Sequence, residues 1–386
     1  MGKRGLSDNM RVASIGAAGT VMAFFVFGGL SSGLFRGAMR GPGEPVDAVP
    51  KGSFIAVTVD MAELRQSPLH ELIAPRSGAQ PASGSGPLQS ALGIGPLAAA
   101  CGFDPLARVQ RLAIAVPEEG ERGEFGLVAR VEVTRAELEK CTSALAEKRG
   151  AKSEAREVGS FAVVDSGGSQ AKLGYGSGGL LVVGKGAWFD AMLGAADKTK
   201  PGLRDAPEHV AMRASLTSKE GFRSPTLVAS IILPRALRER LKGEMGAELG
   251  GHDAENAMWA GVLDVSSLGV AIRAGGPGQN VDAAVEIVCE SAEACDAVDK
   301  LVQRKRLEWS KELSLRLVGL GPLIDSLETK RHETRLRATA SVDAAGFTST
   351  IERILKLRSR PKDAPPPSPP PASRDRSPHE TIPAKP

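Results

Sequence analysis

An uncharged apolar run near the N-terminus most constrains how this chain of 386 residues can fold. The run extends from Val12 to Phe35, 24 residues flanked on both sides by arginine. A helix needs about 20 residues to cross a hydrocarbon layer of ~30 Å, so the run is long enough to span one. The sequence therefore predicts a transmembrane helix at 12–35, with the membrane as its partner, after a short arm at 1–11.

The same run is also compatible with a cleaved secretory signal, which has a basic start, a shorter apolar core and a small-residue cleavage site. Lys3, Arg4 and Arg11 supply the start, and Ser31-Ser32-Gly33 can serve as the site. The full uncharged length favours a retained signal anchor, and a buried core helix is the third interpretation. Cations flank both ends, so the positive-inside rule gives almost no preference. We expect a single-pass inner-membrane protein with its bulk in the periplasm, or a secreted protein if the signal is cleaved.

The charge balance argues against nucleic acid as a partner. There are 49 basic and 45 acidic residues, a net charge of only +4, and aromatic residues make up 4% of the chain. Nucleic-acid binding needs a basic surface for the phosphates, and single strands also need aromatic platforms on which bases stack.

Beyond the apolar run, residues 36–49 are predicted to form a linker, and two regions of ordinary α/β composition follow, 50–200 and 201–357. Each shows the order strand, helix, strand, strand, helix, strand. This predicts an α+β protein of two ferredoxin-like (βαββαβ) repeats with antiparallel sheets. In the second region, 259–265 and 268–273 are predicted to form a hairpin.

The two regions share a sequence trace. Val131-Glu132-Val133 precedes Cys141, and Val285-Glu286-Ile287 precedes Cys295, with the same spacing in both. The period of 154 residues (285 minus 131) suggests duplication of a whole domain, and chance similarity of two strand–helix units is the alternative.

The C-terminal segment, 358–386, is rich in proline and contains the run PPPSPPP. It is predicted to be disordered or to adopt polyproline II structure. Six cations against three anions give it a net charge of +3, which makes an envelope protein or an anionic polymer its candidate partner. An inert solubilising extension is the alternative.

The sequence nominates no catalytic, cofactor-binding or metal-binding residues. Gly174-x-Gly176-x-x-Gly179 matches the dinucleotide fingerprint, but a second strand follows it where a helix is needed, so a hairpin turn is predicted. The five histidines are isolated from one another, and no Cys-x-x-Cys pair is present, which gives zinc no support.

The four cysteines can pair in three ways. In an oxidising compartment, bridges 101–141 and 289–295 are the simplest arrangement, because Cys289 ends a strand and Cys295 begins the next helix. Four buried free thiols are the alternative.

The opening of the first region resembles a family of uncharacterised, membrane-anchored bacterial proteins that carry a domain of unknown function. The resemblance rests on Pro50-Lys51-Gly52-Ser53-Phe54, the strand that runs to Asp60, Leu64 and Ser67-Pro68-Leu69. It covers about 20 residues and the two-repeat layout. It implies a location outside the cytoplasm, and the family offers no known activity to carry over.

The leading functional hypothesis is a non-enzymatic, membrane-tethered binding or scaffolding protein of the bacterial envelope. Two alternatives remain open: a carrier of a small apolar ligand, which needs a large closed pocket, and a hydrolase whose site lies between the two domains.

We predict that a reporter active only outside the cytoplasm is active when fused after residue 360. The physical reason is that a large domain downstream of a signal anchor is translocated largely regardless of its own charge. Activity of a cytoplasm-only reporter at the same fusion point would contradict the localisation.

Overall fold

The computed structural model describes residues 44–69, 101–117, 125–148, 150, 154–165, 171–218, 222, 224–249, 254–276 and 278–358. The predicted transmembrane helix at 12–35, the arm before it and the tail from residue 359 lie outside the described residues. Within the described ranges, no helix combines the length and the apolar character that a membrane crossing requires.

A single antiparallel sheet of twelve strands runs through the described part of the chain. The strands are β1 Ser53–Asp60, β2 Val109–Pro117, β3 Gly126–Val131, β4 Glu154–Val158, β5 Phe161–Asp165, β6 Ala171–Gly176, β7 Leu180–Lys185, β8 Leu227–Ile232, β9 Val265–Arg273, β10 Asn280–Cys289, β11 Glu328–His332 and β12 Arg335–Asp343. Their order is β11-β12-β10-β9-β8-β1-β2-β3-β7-β6-β5-β4. The α+β class is confirmed.

The prediction of two ferredoxin-like sheets is wrong in its topology. In a split βαβ unit, another strand lies between the two strands that the helix joins. Here β1 and β2 are direct antiparallel neighbours, with Val57 opposite Ile114, and β8 and β9 pair in the same way. β1 also pairs with β8, which fuses the two predicted sheets into one.

The helices of the described residues follow the strands in a similar order in both halves. They are α1 Met61–Leu64, α2 Pro105–Arg108, α3 Arg135–Lys148, α4 Gly186–Ala196, α5 Pro207–Thr217, α6 Arg235–Leu249, α7 Ala254–Leu263, α8 Ala292–Lys311, α9 Leu313–Val318, α10 Gly321–Asp325 and α11 Ala344–Arg358.

The two halves of the sheet have the same order of strand pairing, one outward from β1 and the other outward from β8. This layout supports a duplication. In each half the first three strands are neighbours, a helix follows the third, and the last strand of the half returns to pair with that third strand. α3 and α8 are these helices, and their first residues are 157 apart (292 minus 135). Cys141 and Cys295 keep the period of 154, so they stand at helix positions that differ by three, the seventh residue of α3 and the fourth of α8.

Both of these helices have side-chain caps at the N-terminus. Thr134 Oγ1 accepts a hydrogen bond from the Glu137 amide (3.2 Å), while the Glu137 carboxylate accepts one from the Thr134 amide (2.8 Å). Ser291 Oγ accepts one from the Ala294 amide at 3.1 Å. Such caps satisfy amides that have no partner inside the helix, and so fix where α3 and α8 begin.

The sheet is covered on both faces, because its central strands are apolar on both sides. On β1, Ile55, Val57 and Val59 pack with α1, α3 and α11, on what we call the helical face. Ala56 faces the other way, towards the 3₁₀ turn Pro45–Ala48 and α4, on what we call the seam face. α5 covers β8 and β9 on the seam face through Met212 and Leu216.

The folded body includes residues 45–49, which corrects the end of the predicted linker at 36–49; residues 36–43 lie outside the described residues. Ala48 and Val49 are fully buried in the core of the seam face. The turn Pro45–Ala48 packs there because Ala56, Ala113 and Ala115 present only methyl groups to it. The predicted hairpin at 174–179 is confirmed, since β6 and β7 pair around the turn Ser177–Gly179.

The hairpin predicted at 259–265 and 268–273 is wrong. Residues 254–263 form α7, and 265–273 form the single strand β9. α7 packs closely on α8 at Gly261, where an added Cβ would lie 2.6 Å from Ala297 Cβ and 2.9 Å from the Ala294 carbonyl oxygen. The contact requires a residue without a side chain.

We predict opposite effects for two glycine-to-alanine substitutions inside helices. Gly261→Ala should destabilise the protein by about 1–3 kcal/mol, because the methyl group overlaps the backbone of α8. Gly243→Ala in α6 is the matched control; its Cβ meets nothing within 4 Å, so removing the helix glycine should stabilise by up to about 1 kcal/mol. Chemical denaturation measures both. A stabilised Gly261→Ala protein would contradict the packing.

Candidate functional site

The strongest candidate site lies on the seam face, where β1 and β8 join the two halves of the sheet. Both strands carry polar side chains on this face within an otherwise apolar sheet, notably Thr58 on β1 and Ser230 on β8. α5 lies across them, with Pro207 at its first turn, where a missing amide hydrogen costs nothing. His209, Arg213 and Ser215 of this helix make the polar contacts.

Arg213 is held by neutral acceptors from both halves of the sheet. Its Nη1 donates to the carbonyl oxygens of Val228 on β8 (3.2 Å) and Ala56 on β1 (3.4 Å), and its Nη2 donates to the Thr58 hydroxyl. None of the described carboxylates forms an ion pair with it. Burial lowers the pKa of the Arg213 guanidinium to about 10. The positive charge is thus kept in a site that does not compensate it.

A cleft of about 190 Å³ opens beside this guanidinium. Its lining includes two arginines, two carboxylates and two threonines: Arg111, Arg213, Glu44, Asp60, Thr58 and Thr226. The remaining lining residues are apolar: Pro45, Val46, Val59, Leu112 and Pro225. The lining therefore combines charged, hydrogen-bonding and apolar groups. The volume is below the ~300–1,000 Å³ typical of pockets for drug-sized ligands.

The second arginine of the cleft is already paired. Arg111 forms ion pairs with Glu44 and, at 3.4 Å, with Asp60, while Arg130 lies 3.8 Å from Glu44. Asp60 also accepts a hydrogen bond from the Ala62 amide and so caps α1. Both carboxylates of the cleft therefore compensate Arg111, and neither compensates Arg213.

Two carboxyl groups at the end of β1 have raised pKa values. Burial raises the pKa of Asp60, against the opposing effects of the Ala62 amide and Arg111. Burial, and secondly the charge of Asp60, raises the pKa of Glu63 to about 7. Such shifts are common at functional sites. Only Asp60 lines the cleft, however, and it is engaged with Arg111 and α1.

A serine–histidine pair also lies at the seam. His209 Nε2 donates to the Ser53 carbonyl oxygen (2.8 Å), which leaves Nδ1 to accept from the Ser230 hydroxyl (2.8 Å). Nucleophilic catalysis requires such a pair to reach a substrate. Here His209 is 2% exposed and Ser230 is 0% exposed. The pair therefore ties α5 to β1 and β8, and it is closed to a substrate.

A buried carboxylate fixes the other end of α5. Glu286 on β10 accepts hydrogen bonds from the Ser215 hydroxyl (2.7 and 2.6 Å) and from Arg335 (2.6 Å). Arg337 lies 3.7 Å away from it. Because the charge is paired and hydrogen-bonded, this cluster is a structural contact between α5, β10 and β12.

Two disulfides are present among the described residues, in the predicted pairing. Cys101 is bonded to Cys141 on α3, and Cys289 at the end of β10 to Cys295 on α8. The sequence separations are 40 and 6 residues. In the chain-entropy model such loops contribute about 4 and about 2 kcal/mol respectively. Both pairs lie in the helical-face packing and away from the cleft.

None of the cleft residues was singled out from the sequence as part of a site, and no helix was predicted over Pro207–Thr217. The available signal was the apolar spacing of His209, Met212 and Leu216, three buried positions of one helix face, with an arginine beside them. That spacing predicts a helix packed on a core, but the pairing of the cleft carboxylates with Arg111 and not with Arg213 depends on tertiary structure alone.

Comparisons with known proteins give no family. No family model matches the chain, and no curated protein matches it. Among solved structures, crystal forms III, I and IV of TP0453 are similar, with sequence identities of 10%, 11% and 12% and TM-scores of 0.41, 0.41 and 0.40. The matches cover 82%, 83% and 80% of this chain and 99%, 99% and 96% of the other. Similarity at this level supports no inference about function.

We predict that His209 makes stability depend on pH below neutrality. Burial is the main cause that lowers the pKa of His209 in the folded protein. The unfolded chain therefore binds a proton below about pH 6.5 that the folded protein does not, and stability falls with falling pH by up to about 1.4 kcal/mol per pH unit.

The measurement is chemical denaturation of wild-type protein and His209→Gln at about pH 7.5 and 5.5. Asp60 and Glu63 titrate with the opposite sign, so the comparison between variants isolates the histidine. His332→Gln, on the exposed strand β11, is the matched control. An equal pH dependence in wild type and His209→Gln would contradict the prediction.

Proposed function

We propose that this chain is a non-enzymatic, membrane-tethered binding protein outside the cytoplasm of a bacterium, and that its seam cleft binds a small anion. The observation that carries the proposal is Arg213, a partly buried guanidinium at an open cleft; its own hydrogen-bond acceptors are all neutral, and the cleft carboxylates Glu44 and Asp60 pair with Arg111. A desolvated charge without an ion-pair partner is costly, so its presence next to a cleft favours a ligand that pairs with it.

The chemistry of the cleft favours a small carboxylate or phosphate. Guanidinium groups present a planar fork of donors that matches these oxyanions. The hydroxyl of Thr226 lines the same cleft, although it also accepts a hydrogen bond from the Ala274 amide. The volume of about 190 Å³ suits a compact ligand.

Three observations support the proposed location. The two disulfides are typical of oxidising compartments. The apolar run at 12–35 has the length of a membrane span, and the resemblance at residues 50–69 implies the same environment. In this topology the envelope-protein or anionic-polymer partner remains a proposal for the tail at 358–386.

The two alternatives fit the seam less well. A small apolar ligand would meet four charged side chains in this cleft, Glu44, Asp60, Arg111 and Arg213. A hydrolase would need its nucleophile exposed, and the serine–histidine pair at the seam is buried. Anion binding is the function that the geometry supports best.

We predict that inorganic phosphate stabilises the wild-type protein and not Arg213→Met. Binding stabilises the folded state by about 2.7 kcal/mol at a ligand concentration of about 100 times Kd. The variant should unfold at or above the wild-type temperature without phosphate, because methionine removes an uncompensated buried charge while keeping most of the volume.

The measurement is the Tm of full-length protein in phosphate, in acetate and in chloride at matched ionic strength. Arg331→Met is the matched control; Arg331 lies on edge strand β11 and forms an ion pair with Asp296 at 3.3 Å. An equal phosphate shift in Arg213→Met would contradict the site. No shift of wild-type protein in phosphate or acetate would contradict anion binding itself.

A further inference from the structure

The corner between α8 and α9 exposes an unusual concentration of large apolar side chains. Six such side chains are exposed among the described residues, and four of them fall within residues 307–317. They are Leu307 (62% exposed), Trp309 (39%), Leu313 (68%) and Leu317 (70%). Nine of these eleven residues are classed as exposed. Clustered apolar exposure of this kind marks interaction surfaces.

The end of α8 exposes apolar side chains on two sides. Leu307 and Trp309 are two positions apart on α8, and two steps of about 100° place them on nearly opposite sides of the helix. Both are nevertheless exposed, at 62% and 39%. Within the described structure, the last turn of α8 therefore leaves part of both side chains uncovered. On α9, Leu315 and Val318 face inwards while Leu313 and Leu317 face outwards.

The charge around the corner is positive. Residues 304–317 contain five cations and two anions, a net charge of +3. The cations are Arg304, Lys305, Arg306, Lys311 and Arg316. Asp325 of α10 forms an ion pair with Arg316 at 3.1 Å, which leaves the corner at +2. Leucine and tryptophan side chains beside lysine and arginine are the composition of helices that lie in the interface of an anionic bilayer. Tryptophan in particular favours that interface, because its ring is apolar and its N–H is polar.

We propose that this corner, residues 307–317, docks on the surface of an anionic lipid bilayer. The two alternative occupants are the C-terminal tail and a second copy of this chain, and both would bring positive charge to a positive surface. The tail at 359–386 has a net charge of +2, and a second copy would bring two positive corners together. In the tethered topology proposed above, eight residues lie between Phe35 and Glu44, and nine steps of at most ~3.6 Å keep Glu44 within about 30 Å of the bilayer. This last step rests on the proposed tether.

The test uses the full-length chain with vesicles of phosphatidylcholine, alone or mixed with phosphatidylglycerol, and with brominated acyl chains as quenchers. The emission of Trp309 is isolated by subtracting the spectrum of Trp309→Phe. We expect loss of the Trp309 emission in the anionic vesicles, recovery of that emission at high salt, and no loss in phosphatidylcholine alone. Protein that still floats with the vesicles at high salt is held by the tether, so flotation measures the tether separately from the corner.

Leu317→Glu should abolish the quenching of Trp309 in anionic vesicles, and circular dichroism should show an unchanged fold because the side chain is exposed. Val210→Glu, at an exposed valine of α5 (45% exposed), is the matched control and should retain the quenching. Equal quenching in neutral and anionic vesicles, no quenching in either, or quenching retained in Leu317→Glu would overturn the proposal. Two results in detergent, without vesicles, would also overturn it. Protection of Trp309 from a soluble quencher that increases with protein concentration would identify a second copy as the occupant. Protection that disappears when the chain is truncated after Arg358 would identify the tail.

Discussion

The pairing of β1 with β8 is the interaction on which the rest of this structure depends. Five residue pairs in antiparallel register, from Ile55–Ile231 to Val59–Leu227, join what would otherwise be two separate sheets. Because both strands are central, each must be covered on two faces, and the layers of helices above and below follow from that requirement. Strands with apolar side chains on both faces are the sequence counterpart of this position, and β8 is buried along nearly its whole length.

The candidate site is a consequence of the same junction. The backbone of β1 and the backbone of β8 each contribute a carbonyl oxygen to Arg213, so the guanidinium bridges the two halves. His209 of α5 also contacts both strands, through the Ser230 hydroxyl on β8 and the Ser53 carbonyl oxygen on β1. A charge placed at this junction without a carboxylate is a source of instability in the isolated protein. Binding proteins commonly keep such unfavourable groups where a ligand relieves them.

Local features of the fold could be predicted from the sequence, whereas the pairing of strands could not. The disulfide pairs, the hairpin at 174–179 and the strand at 53–60 follow from spacing, turn chemistry and β-branched composition. Alternation of apolar residues shows that a segment is a strand, but it does not specify the neighbour of that strand, and so the merger of two sheets was missed. The apolar run at 259–265 was taken for a strand because short apolar runs look alike in strands and buried helices. Gly261 favours a helix there only because a helix packs closely on α8 at that position, and the sequence does not show this contact.

The ends of the sheet differ from its centre in a way that bears on ancestry and assembly. The outermost strands, β4 and β11, are short and mostly exposed, and they carry Glu154, Arg156, Glu157, Lys330 and Arg331. Charges of this kind discourage another chain from adding a strand. β1 has no such protection, so half of this protein, produced alone, would leave a long apolar edge unpaired. Two identical halves meeting there about a twofold axis would rebuild the central strands, and joining both halves in one chain makes that encounter intramolecular.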